Sequence, residues 1–481
     1  MLNRHLVAYA PVYLAQGLVG FGAVAVFTRI LTPDEYGRYV LILAGASLIG
    51  TLIFTWLDAA IARYHARATA RGRLPGQLFT AWRIFAVLAL PTVAVGVLGL
   101  WLVPLEDSVK AACAFAFAYT VIRSGLTLAL ETRRAGGEAW RYSLLETFTL
   151  AGGFGFGVVL ALTGLGAAGP FAGMLLAASI ALLIDAPILL SRSKRDRADA
   201  KRAVTFFAYG APVAVSLLFE HLLSVGDRFV IAAFLGEAAA GTYAAGYAVA
   251  DRSLSIIFLW LGATTGPLLI AAFEHHGARE ARNVAQRTAG LMALIGFPAA
   301  AGLALVADPI SQVLIGPEIA AEAAGIIPFI ALSGLLNGFM TFYFHEAYVL
   351  GRKPRSMAII MAVCAMFNIA LNLILTPLLG LVGAALATVL CYAIALGVCV
   401  VHGRGVFALP IPVRAWFSAL GATLVMAGVI IWVPSPQPAL LALICKVALG
   451  AGVYAMLALA LNIADCRSWI PKRAPVQEAP A

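Results

Sequence analysis

The stretch 220–243, EHLLSVGDRFVIAAFLGEAAAGTY, decides the fold because it places ionisable side chains inside an apolar run that turns into a second one. The ionisable side chains are Glu220, His221, Asp227 and Arg228. A shift of 204 residues superposes a fainter copy near the N-terminus, with Gly22 on Gly226, Leu31 on Leu235, Gly37 on Gly241 and Tyr39 on Tyr243. A polar-interrupted helix that recurs once per half-chain is typical of transporters built from internal repeats.

The composition is that of a membrane protein. Of 481 residues, 62% are hydrophobic and only 12% are charged, so the chain lacks the charge that a water-facing surface needs. Apolar runs of about 18 or more residues recur from end to end, and each can span the ~30 Å hydrocarbon core of a bilayer. Because open sheet edges cannot face lipid, we expect an all-α polytopic protein. The first run is too long for a signal peptide and lacks a small-residue cleavage site, so we expect it to be retained.

Several classes of function find no support in the sequence. The six cysteines show no CxxC or Cys/His spacing, so neither a metal site nor a disulfide framework is predicted. No Walker A, HExxH or GxSxG motif occurs, which leaves ATP hydrolysis and hydrolase chemistry without support. We expect no cofactor. The net charge of +10 does not indicate nucleic-acid binding, because what matters in a membrane protein is where the positive charge lies.

The apolar runs predict fourteen transmembrane helices, at 6–30, 38–62, 79–103, 109–131, 143–163, 170–190, 203–235, 241–271, 288–306, 325–350, 357–377, 383–401, 415–433 and 439–462. The loops between them alternate between loops that carry arginine or lysine and loops that carry neither. By the positive-inside rule, this alternation supports the count and places both termini in the cytoplasm.

Helices 1–6 and 7–12 are predicted to form two halves. The GAA of residues 166–168, between helices 5 and 6, recurs at residues 383–385, between helices 11 and 12. Because six helices per repeat is an even number, the halves are parallel, related by an axis along the membrane normal. The predicted domains are an N-terminal six-helix lobe (1–190), a basic cytoplasmic linker (191–202), a C-terminal six-helix lobe (203–402), extra helices 13 and 14 (403–462) and a cytoplasmic tail (463–481).

The helix 7–8 hairpin provides the first candidate site, since charges near the bilayer centre are costly and usually face a cavity or a partner. With the hairpin tip near Ala239, Asp227 and Asp251 each lie twelve residues from it, at one depth on adjacent helices, and each precedes an arginine. We therefore expect Asp227 to pair with Arg252 and Arg228 with Asp251. The four residues either fasten the two helices or form a cavity wall in which the arginines meet an anionic group. In the second case, the candidates for binding a coupling ion are Glu220, Asp227 and Asp251.

Other charged residues also lie within the apolar runs. Arg123 has no acid within four positions on its own helix, so it either reaches an acid elsewhere or binds an anionic ligand, and a guanidinium suits phosphate. Lys446 either lines a groove or pairs locally. The remaining side chains are near helix ends and are expected to reach the headgroups; they are Asp58, Asp185, His345 and Glu346.

Three segments resemble the Wzx-type polysaccharide flippases of the multidrug/oligosaccharidyl-lipid/polysaccharide (MOP) exporter superfamily: TRILTPDEYGRYVL near the N-terminus, DRFVIAAFLGEAAAGTYAAGYAVA in helices 7–8, and FNIALNLILTPLLGLVGAALATVL at 367–390. The third is the most specific, and its matching residues are Asn368, Asn372, Pro377, Gly380, Gly383, Ala384, Ala385, Ala387 and Thr388. The resemblance covers nearly residues 1–400. Helices 13 and 14 are an extension of some members only, and Asp58 departs from the small residue expected there.

The resemblance implies a V-shaped bundle of two lobes, like that of MATE transporters, around a central cavity that opens alternately to either side. It implies a transporter, not an enzyme, that flips an undecaprenyl-diphosphate-linked oligosaccharide for surface polysaccharide (O-antigen, capsule or exopolysaccharide) synthesis. The diphosphate- and sugar-binding candidates are then Arg29, Arg123, Arg228 and Arg252. Aromatic residues that could stack on sugar faces are Tyr209, Tyr243, Tyr247 and Trp260. The expected partners are this lipid, the bilayer, and a polysaccharide polymerase with its chain-length machinery, with the protein itself a monomer.

Three other functions stay open. A lipid II flippase has the same number of helices and a cationic cavity, whereas a cation-coupled drug exporter of this superfamily would have a more acidic one. A membrane glycosyltransferase or polymerase acting on lipid-linked sugars is the alternative from another class. Such enzymes resemble proteins with a large external loop of catalytic acids, but loop 307–324 has only Asp308, Glu318 and Glu322, too few for that chemistry.

Overall fold

The computed structural model describes residues 2–193 and 199–469, and within these ranges the chain is helical and has no strand. The predicted linker and tail therefore lie partly outside the described residues, at 194–198 and 470–481. The α-helices, in chain order, are α1 Leu2–Ile30, α2 Pro33–Ile53, α3 Thr55–Ala70, α4 Leu74–Leu102, α5 Asp107–Ala135, α6 Ala139–Leu160, α7 Ala168–Ser193, α8 Ala200–Leu235, α9 Glu237–Leu305, α10 Ala307–Leu314, α11 Pro317–Phe339, α12 Glu346–Leu350, α13 Pro354–Arg404, α14 Val413–Ile431 and α15 Ala439–Leu461.

Two of the long helices contain a break that divides each into two spans. Twelve helices in the described ranges are long and apolar enough to cross a membrane. Within α9, Gly277 has a φ of 80°, and within α13, Gly380 has a φ of 62°. Glycine enters this left-handed region without the steric cost that a side chain brings. Counting both sides of each break gives fourteen spans, which confirms the predicted all-α multi-pass fold.

Two predicted loops and one turn were misplaced. Residues 272–287, predicted as a loop, are helical apart from the break at Gly277. Loop 307–324 contains α10 and the start of α11. The helix 7–8 hairpin turns at Gly236, with a φ of 92°, and not near Ala239. Hydropathy marks where a helix leaves the hydrocarbon but not where it ends, and alanine, arginine and glutamate extend a helix into water at little cost.

The described chain divides into two compact units. The first contains Met1–Val249, Leu314–Ile326 and Met361–Ala387, and the second contains Ala250–Val313, Ile327–Ile360 and the chain from Thr388 onward. These boundaries follow contacts within the chain, whereas the predicted lobes follow helix number. The lobes at 1–190 and 203–402 therefore stay a prediction.

The first unit has its core where α3 meets α8 and where α5 meets α6 and α7. Trp56 and Ile61 of α3 are buried with Phe206 of α8. The backbones of α3 and α8 approach closely at Gly210, where a Cβ atom would overlap the carbonyl oxygen of Trp56. Leucines of α5 pack against alanines of α7 in a second cluster. Small residues at these contacts let membrane helices approach, since lipid supplies no hydrophobic drive between them.

A capping box turns the chain sharply between α1 and α2. The Glu35 N–H donates to Thr32 Oγ1 at 3.3 Å, and the Thr32 N–H donates to Glu35 Oε2 at 3.0 Å. These bonds satisfy two donors that the helix start leaves open, and Pro33 fits the first turn because it has no N–H to satisfy. The turn places Arg38 where it binds Glu237 at 2.6 Å and Glu106 at 3.1 Å.

The second unit is held together by aromatic residues around α14. The Trp416 indole N–H donates to the carbonyl oxygen of Ala289 at 3.1 Å, and its ring lies 4.9 Å from that of Phe339. The Tyr343 hydroxyl donates to the carbonyl oxygen of Pro410. Helix α14 thus packs against the end of α9 and against α11 within this unit.

Candidate functional site

The α8–α9 hairpin holds a buried carboxylate beside a half-buried guanidinium. Asp227 is buried, and its Oδ1 accepts a hydrogen bond from the Arg228 N–H at 2.9 Å. Its carboxyl group also interacts with the hydroxyl of Tyr243. The Arg228 guanidinium lies over the ring of Tyr247, 5.6 Å from its centroid, and its Nε has no hydrogen-bond partner in the described part of the first unit. Arg228 therefore offers an unused donor about two turns before α8 ends at Leu235.

His221, about two turns before Arg228 on α8, contacts the first half of the chain. Its Nε2 lies 2.7 Å from the hydroxyl of Ser47 on α2. The Ser47 hydroxyl also lies 2.8 Å from the carbonyl oxygen of Ala44 on its own helix. The sequence predicted His221 as part of the polar stretch but not its partner, because Ser47 is a small uncharged residue in an apolar run.

The predicted coupling-ion residues lie in different surroundings. Glu220 is exposed, and no hydrogen bond or ion pair of its carboxylate occurs among the residues that the structure describes. With the turn at Gly236, Asp227 lies nine residues before it and Asp251 lies fifteen residues after it. At 1.5 Å per residue, the depths differ by about 9 Å. Asp251 and Arg252 begin the second unit, so their predicted pairing with Asp227 and Arg228 stays a prediction, without the support of equal depth.

Arg123 reaches an acid on the next helix. Its two terminal nitrogens donate to the two oxygens of Glu146, at 2.9 and 2.8 Å, and Glu146 is buried. This fork-to-fork pair is the strongest geometry for an arginine and a carboxylate. The guanidinium also lines a cavity of about 140 Å³, together with Tyr39 and Tyr119. Of the two possibilities that the sequence left open for Arg123, the structure shows the acid partner.

Glu146 could have been found from the sequence. Arg123 lies twelve residues before the end of α5 at Ala135, and Glu146 lies seven residues after the start of α6 at Ala139. The difference in depth is about 7 Å, which a long arginine side chain can span. Searching the adjacent antiparallel helix, and not only the same helix, would have shown the acid.

A second ion cluster joins the ends of α5, α6 and α7. Arg133 donates to both oxygens of Asp185, at 3.1 and 3.0 Å, and both side chains are completely buried. Arg141 also donates to Asp185, at 2.7 Å. Glu138 joins the cluster by accepting from Arg133 at 2.6 Å and from Arg192 at 2.8 Å. The prediction that Asp185 reaches the headgroups is wrong, because two arginines of neighbouring helices bind it inside the protein.

The prediction for His345 is wrong as well. His345 follows a π-helical turn, Met340–Phe344, and is buried rather than at the headgroups. Its Nε2 and the Oε2 atom of the neighbouring Glu346 have no hydrogen-bond partner among the described residues.

The remaining predicted arginine and the aromatic residues differ in exposure. Arg29 is exposed and donates to the carbonyl oxygen of Ala25 at 2.6 Å. Tyr243 and Tyr247 are buried in the protein, as expected of core residues rather than of rings that stack on a sugar face. Tyr209 and Trp260 are exposed and remain available for such a contact.

Two asparagines that matched the resemblance form a buried ladder on α13 together with Thr376. The Asn372 side-chain amide donates to the carbonyl oxygen of Asn368 at 2.9 Å, and Thr376 lies against Asn372 at 3.4 Å. All three side chains are completely buried. This segment approaches α8 where Ile369 lies beside Gly226. Within the described ranges, no group of three or more histidine, cysteine, aspartate or glutamate residues could hold a metal ion.

Comparison with known proteins adds a family and a fold. A family model described as "Polysaccharide biosynthesis protein" matches residues 26–321, more than half of the chain. The structure is similar to the lipid II flippase MurJ in an inward closed conformation, with a TM-score of 0.78 and 12% identity, covering 97% of this chain and 100% of that one. It is also similar to an inward-facing MATE multidrug resistance transporter of the MOP superfamily, with a TM-score of 0.67 and 14% identity over 82% of this chain and 94% of that one.

A third similar structure is a MOP superfamily transporter from Pyrococcus furiosus, with a TM-score of 0.57 and 14% identity over 83% of this chain and 92% of that one. No curated protein matches the chain significantly. At these identities the structural matches show the fold alone, and that fold is the one that the sequence predicted.

Proposed function

The chain belongs to the polysaccharide biosynthesis protein family, with the fold of the MOP superfamily of flippases and transporters, and from this premise we propose that it flips an undecaprenyl-diphosphate-linked oligosaccharide across the bacterial inner membrane. The oligosaccharide would be a building unit of a surface polysaccharide, delivered from the cytoplasmic to the external leaflet by alternating access. Both termini would lie in the cytoplasm. The protein would act before a polysaccharide polymerase and its chain-length machinery, as a transporter that makes and breaks no covalent bond.

The largest energetic cost of moving such a substrate across the membrane comes from its diphosphate–sugar headgroup. The polyprenyl tail can stay in the hydrocarbon, but the diphosphate and sugars must cross a medium in which a charge costs several kcal/mol or more. A protein lowers this cost by presenting a cation and polar groups along the path. The cation must be free to bind the diphosphate and to release it on the other side, so a guanidinium that is already neutralised by a carboxylate is poorly suited.

Arg228 is the observation that supports the proposal. Its guanidinium is on α8, about 12 Å along the helix from the turn at Gly236, and lies over the ring of Tyr247 with Nε unpartnered in the first unit. Arg123 and Arg133, by contrast, each bind a buried carboxylate through two hydrogen bonds. We therefore assign diphosphate binding first to Arg228. Arg123 would hold α5 to α6 and shape the cavity that it lines, and Arg29 and Arg252 remain candidates for secondary contacts.

The test replaces Arg228 in a host that lacks its own copy of the gene. Arg228→Ala removes a charge-assisted hydrogen-bond donor, which is worth about 2 kcal/mol, or roughly 30-fold in affinity. We expect surface polysaccharide to fall correspondingly at matched protein abundance, while the lipid-linked oligosaccharide accumulates in the cytoplasmic leaflet. Arg228→Lys should restore part of the export, because an ammonium keeps the charge but not the planar fork.

The matched control is Arg134→Ala, which removes an exposed arginine paired with Glu131 and should leave export unchanged. Normal export by Arg228→Ala would contradict the diphosphate-binding role. A host that stops cell-wall synthesis, with its surface polysaccharide intact, would instead identify lipid II as the substrate. Altered resistance to cationic drugs alone would indicate a drug exporter.

A further inference from the structure

The second unit contains a large apolar cavity that the proposed function does not use. Its volume is about 740 Å³, and it lies among α9, α14 and α15. Leu294, Leu303 and Met426 line it, as do Val447 and Leu459. Because the side chains of Val447 and Leu459 are also exposed on the surface of the protein, the cavity opens where hydrocarbon chains of the bilayer would lie.

One residue in this apolar lining is charged. Lys446 of α15 lines the cavity, and among the described residues no carboxylate forms an ion pair with it. It lies seven residues after Ala439, where α15 starts, or about 10 Å along the helix. An ammonium inside an apolar run is costly unless it is paired or reaches the interface, and a lysine side chain is long enough to extend its head toward the interface. The cavity therefore combines apolar walls with an unsatisfied cation near one membrane face.

We propose that this cavity binds an anionic phospholipid, with one acyl chain inside it and the phosphate against Lys446. Charge complementarity selects the headgroup, because a zwitterionic lipid carries its own cation beside the phosphate, whereas an anionic lipid leaves the phosphate available to the ammonium. The walls select a lipid over inorganic phosphate, since an ion alone would leave the apolar surface without a partner. By the predicted topology, the lipid belongs to the external leaflet. The proposal does not rest on the proposed function.

The size of the cavity favours an acyl chain over a polyprenyl chain. If a methylene group takes about the volume that a water molecule has in the liquid, roughly 30 Å³, the cavity holds roughly 25 of them. One acyl chain of ordinary length fits with room to spare, but less than half of an undecaprenyl chain does. The helices that build the cavity include α14 and α15, which lie outside the predicted repeat of six helices. Lipid binding would thus give this extra pair a role of its own.

The test measures binding of short-chain phosphatidylglycerol to the purified full-length protein in detergent, by thermal-shift titration. Phosphatidylcholine of the same chain length and inorganic phosphate are the comparison probes. One lysine near a headgroup is worth about 1 kcal/mol, so we expect the wild type to prefer phosphatidylglycerol by about fivefold. Lys446→Gln should abolish the preference while keeping the affinity for phosphatidylcholine, and Lys446→Arg should retain it.

Two further variants separate the charge from the cavity. Lys201→Ala removes an exposed lysine at the start of α8 and should leave the preference intact. Ala455→Phe fills the cavity, which Ala455 lines, and should weaken binding of both lipids to the same extent. Equal affinity of the wild type for both lipids, or a preference that survives Lys446→Gln, would overturn the proposal. So would equal protection by inorganic phosphate, or a polyprenyl diphosphate that co-purifies only when Lys446 is present.

Discussion

Two adjacent arginines at the end of α5 should differ greatly in their effect on stability. Arg133 is completely buried and makes three hydrogen bonds to carboxylates, two to Asp185 and one to Glu138. Arg134 has a half-exposed side chain and pairs with Glu131 on its own helix. Replacing Arg133 by alanine leaves the Asp185 carboxylate buried with only Arg141 as a partner.

The expected magnitudes follow from burial. Removing one member of a buried pair costs about 3–5 kcal/mol when the remaining charge is neither hydrated nor paired, and because Arg141 still binds Asp185, we expect a loss toward the lower end of that range. Removing one member of an exposed pair costs about 0–1 kcal/mol, because water hydrates the partner. We therefore expect Arg133→Ala to lower the free energy of unfolding by several kcal/mol and Arg134→Ala to change it little. Unfolding in mixed micelles, followed by tryptophan fluorescence, measures both variants under one condition.

A double variant tests the cause of the loss. If the penalty comes from the orphaned charge, Arg133→Met combined with Asp185→Leu should recover most of the stability, since both charges are then gone. Arg141, whose side chain is partly exposed, can turn to water in that variant. Equal losses for Arg133→Ala and Arg134→Ala, or a double variant less stable than either single one, would refute the reasoning.

Two further predictions concern pH and helix contact. Burial opposes ionisation of Glu138, but hydrogen bonds from Arg192 and Arg133 hold the pKa of its carboxyl group below the ordinary value of 4.5. The ionised Glu138 therefore stabilises the fold fully above pH 4.5, and this stabilisation is lost as the pH falls through the lowered pKa. The wild type should thus be more stable than Glu138→Gln at neutral pH and should lose this advantage in acid, as thermal unfolding across pH would show. A Cβ atom at Gly37 would overlap the carbonyl oxygen of Glu237, whereas one at Gly17 would meet no atom nearby. In the same unfolding assay, Gly37→Ala should therefore lower the free energy of unfolding by about 1–3 kcal/mol or more. Gly17→Ala should raise it by up to about 1 kcal/mol through helix propensity.

The number of helices could be predicted from the sequence because the bilayer imposes one length and one polarity on every span. That rule gave fourteen spans even though α9 and α13 each run through a break at a single glycine. The rule does not predict where a helix ends in water, because arginine, glutamate and alanine continue a helix there as readily as they form a loop. The rule therefore predicts the helix 7–8 turn near Ala239, whereas the structure has it at Gly236. With the turn at Gly236, the prediction that Asp227 and Asp251 lie at equal depth no longer has support.

The partners of buried charges were harder to predict, because they depend on which helices are neighbours. Position in the sequence suggested that Asp185 lies near water, and only the packing of α5, α6 and α7 shows that it is enclosed by two arginines. Glu146 was hidden for a related reason, since it lies on the helix after Arg123. The family resemblance depended on a pattern of glycines, asparagines and alanines. Such a pattern indicates where helix backbones approach each other, but it does not show which charged side chains form ion pairs.

Arg123, Arg133 and Arg228 of the first unit divide by whether a carboxylate binds the guanidinium through two hydrogen bonds, and this division bears on the proposed transport. Arg123 and Arg133 each have a carboxylate at two-point contact, so an anionic substrate would have to displace that carboxylate and leave it buried without a partner. That exchange costs about as much as the new contact gains, and so it supplies little net attraction. Arg228 lies over an aromatic ring with a donor unused. A cation–π contact stabilises the position of the guanidinium by about 0.5–2 kcal/mol. A diphosphate can compete with so weak a contact, and the guanidinium can return to the ring when the diphosphate leaves. A carrier needs both steps, and the proposal that Arg228 binds the diphosphate rests on this difference in two-point pairing from Arg123 and Arg133.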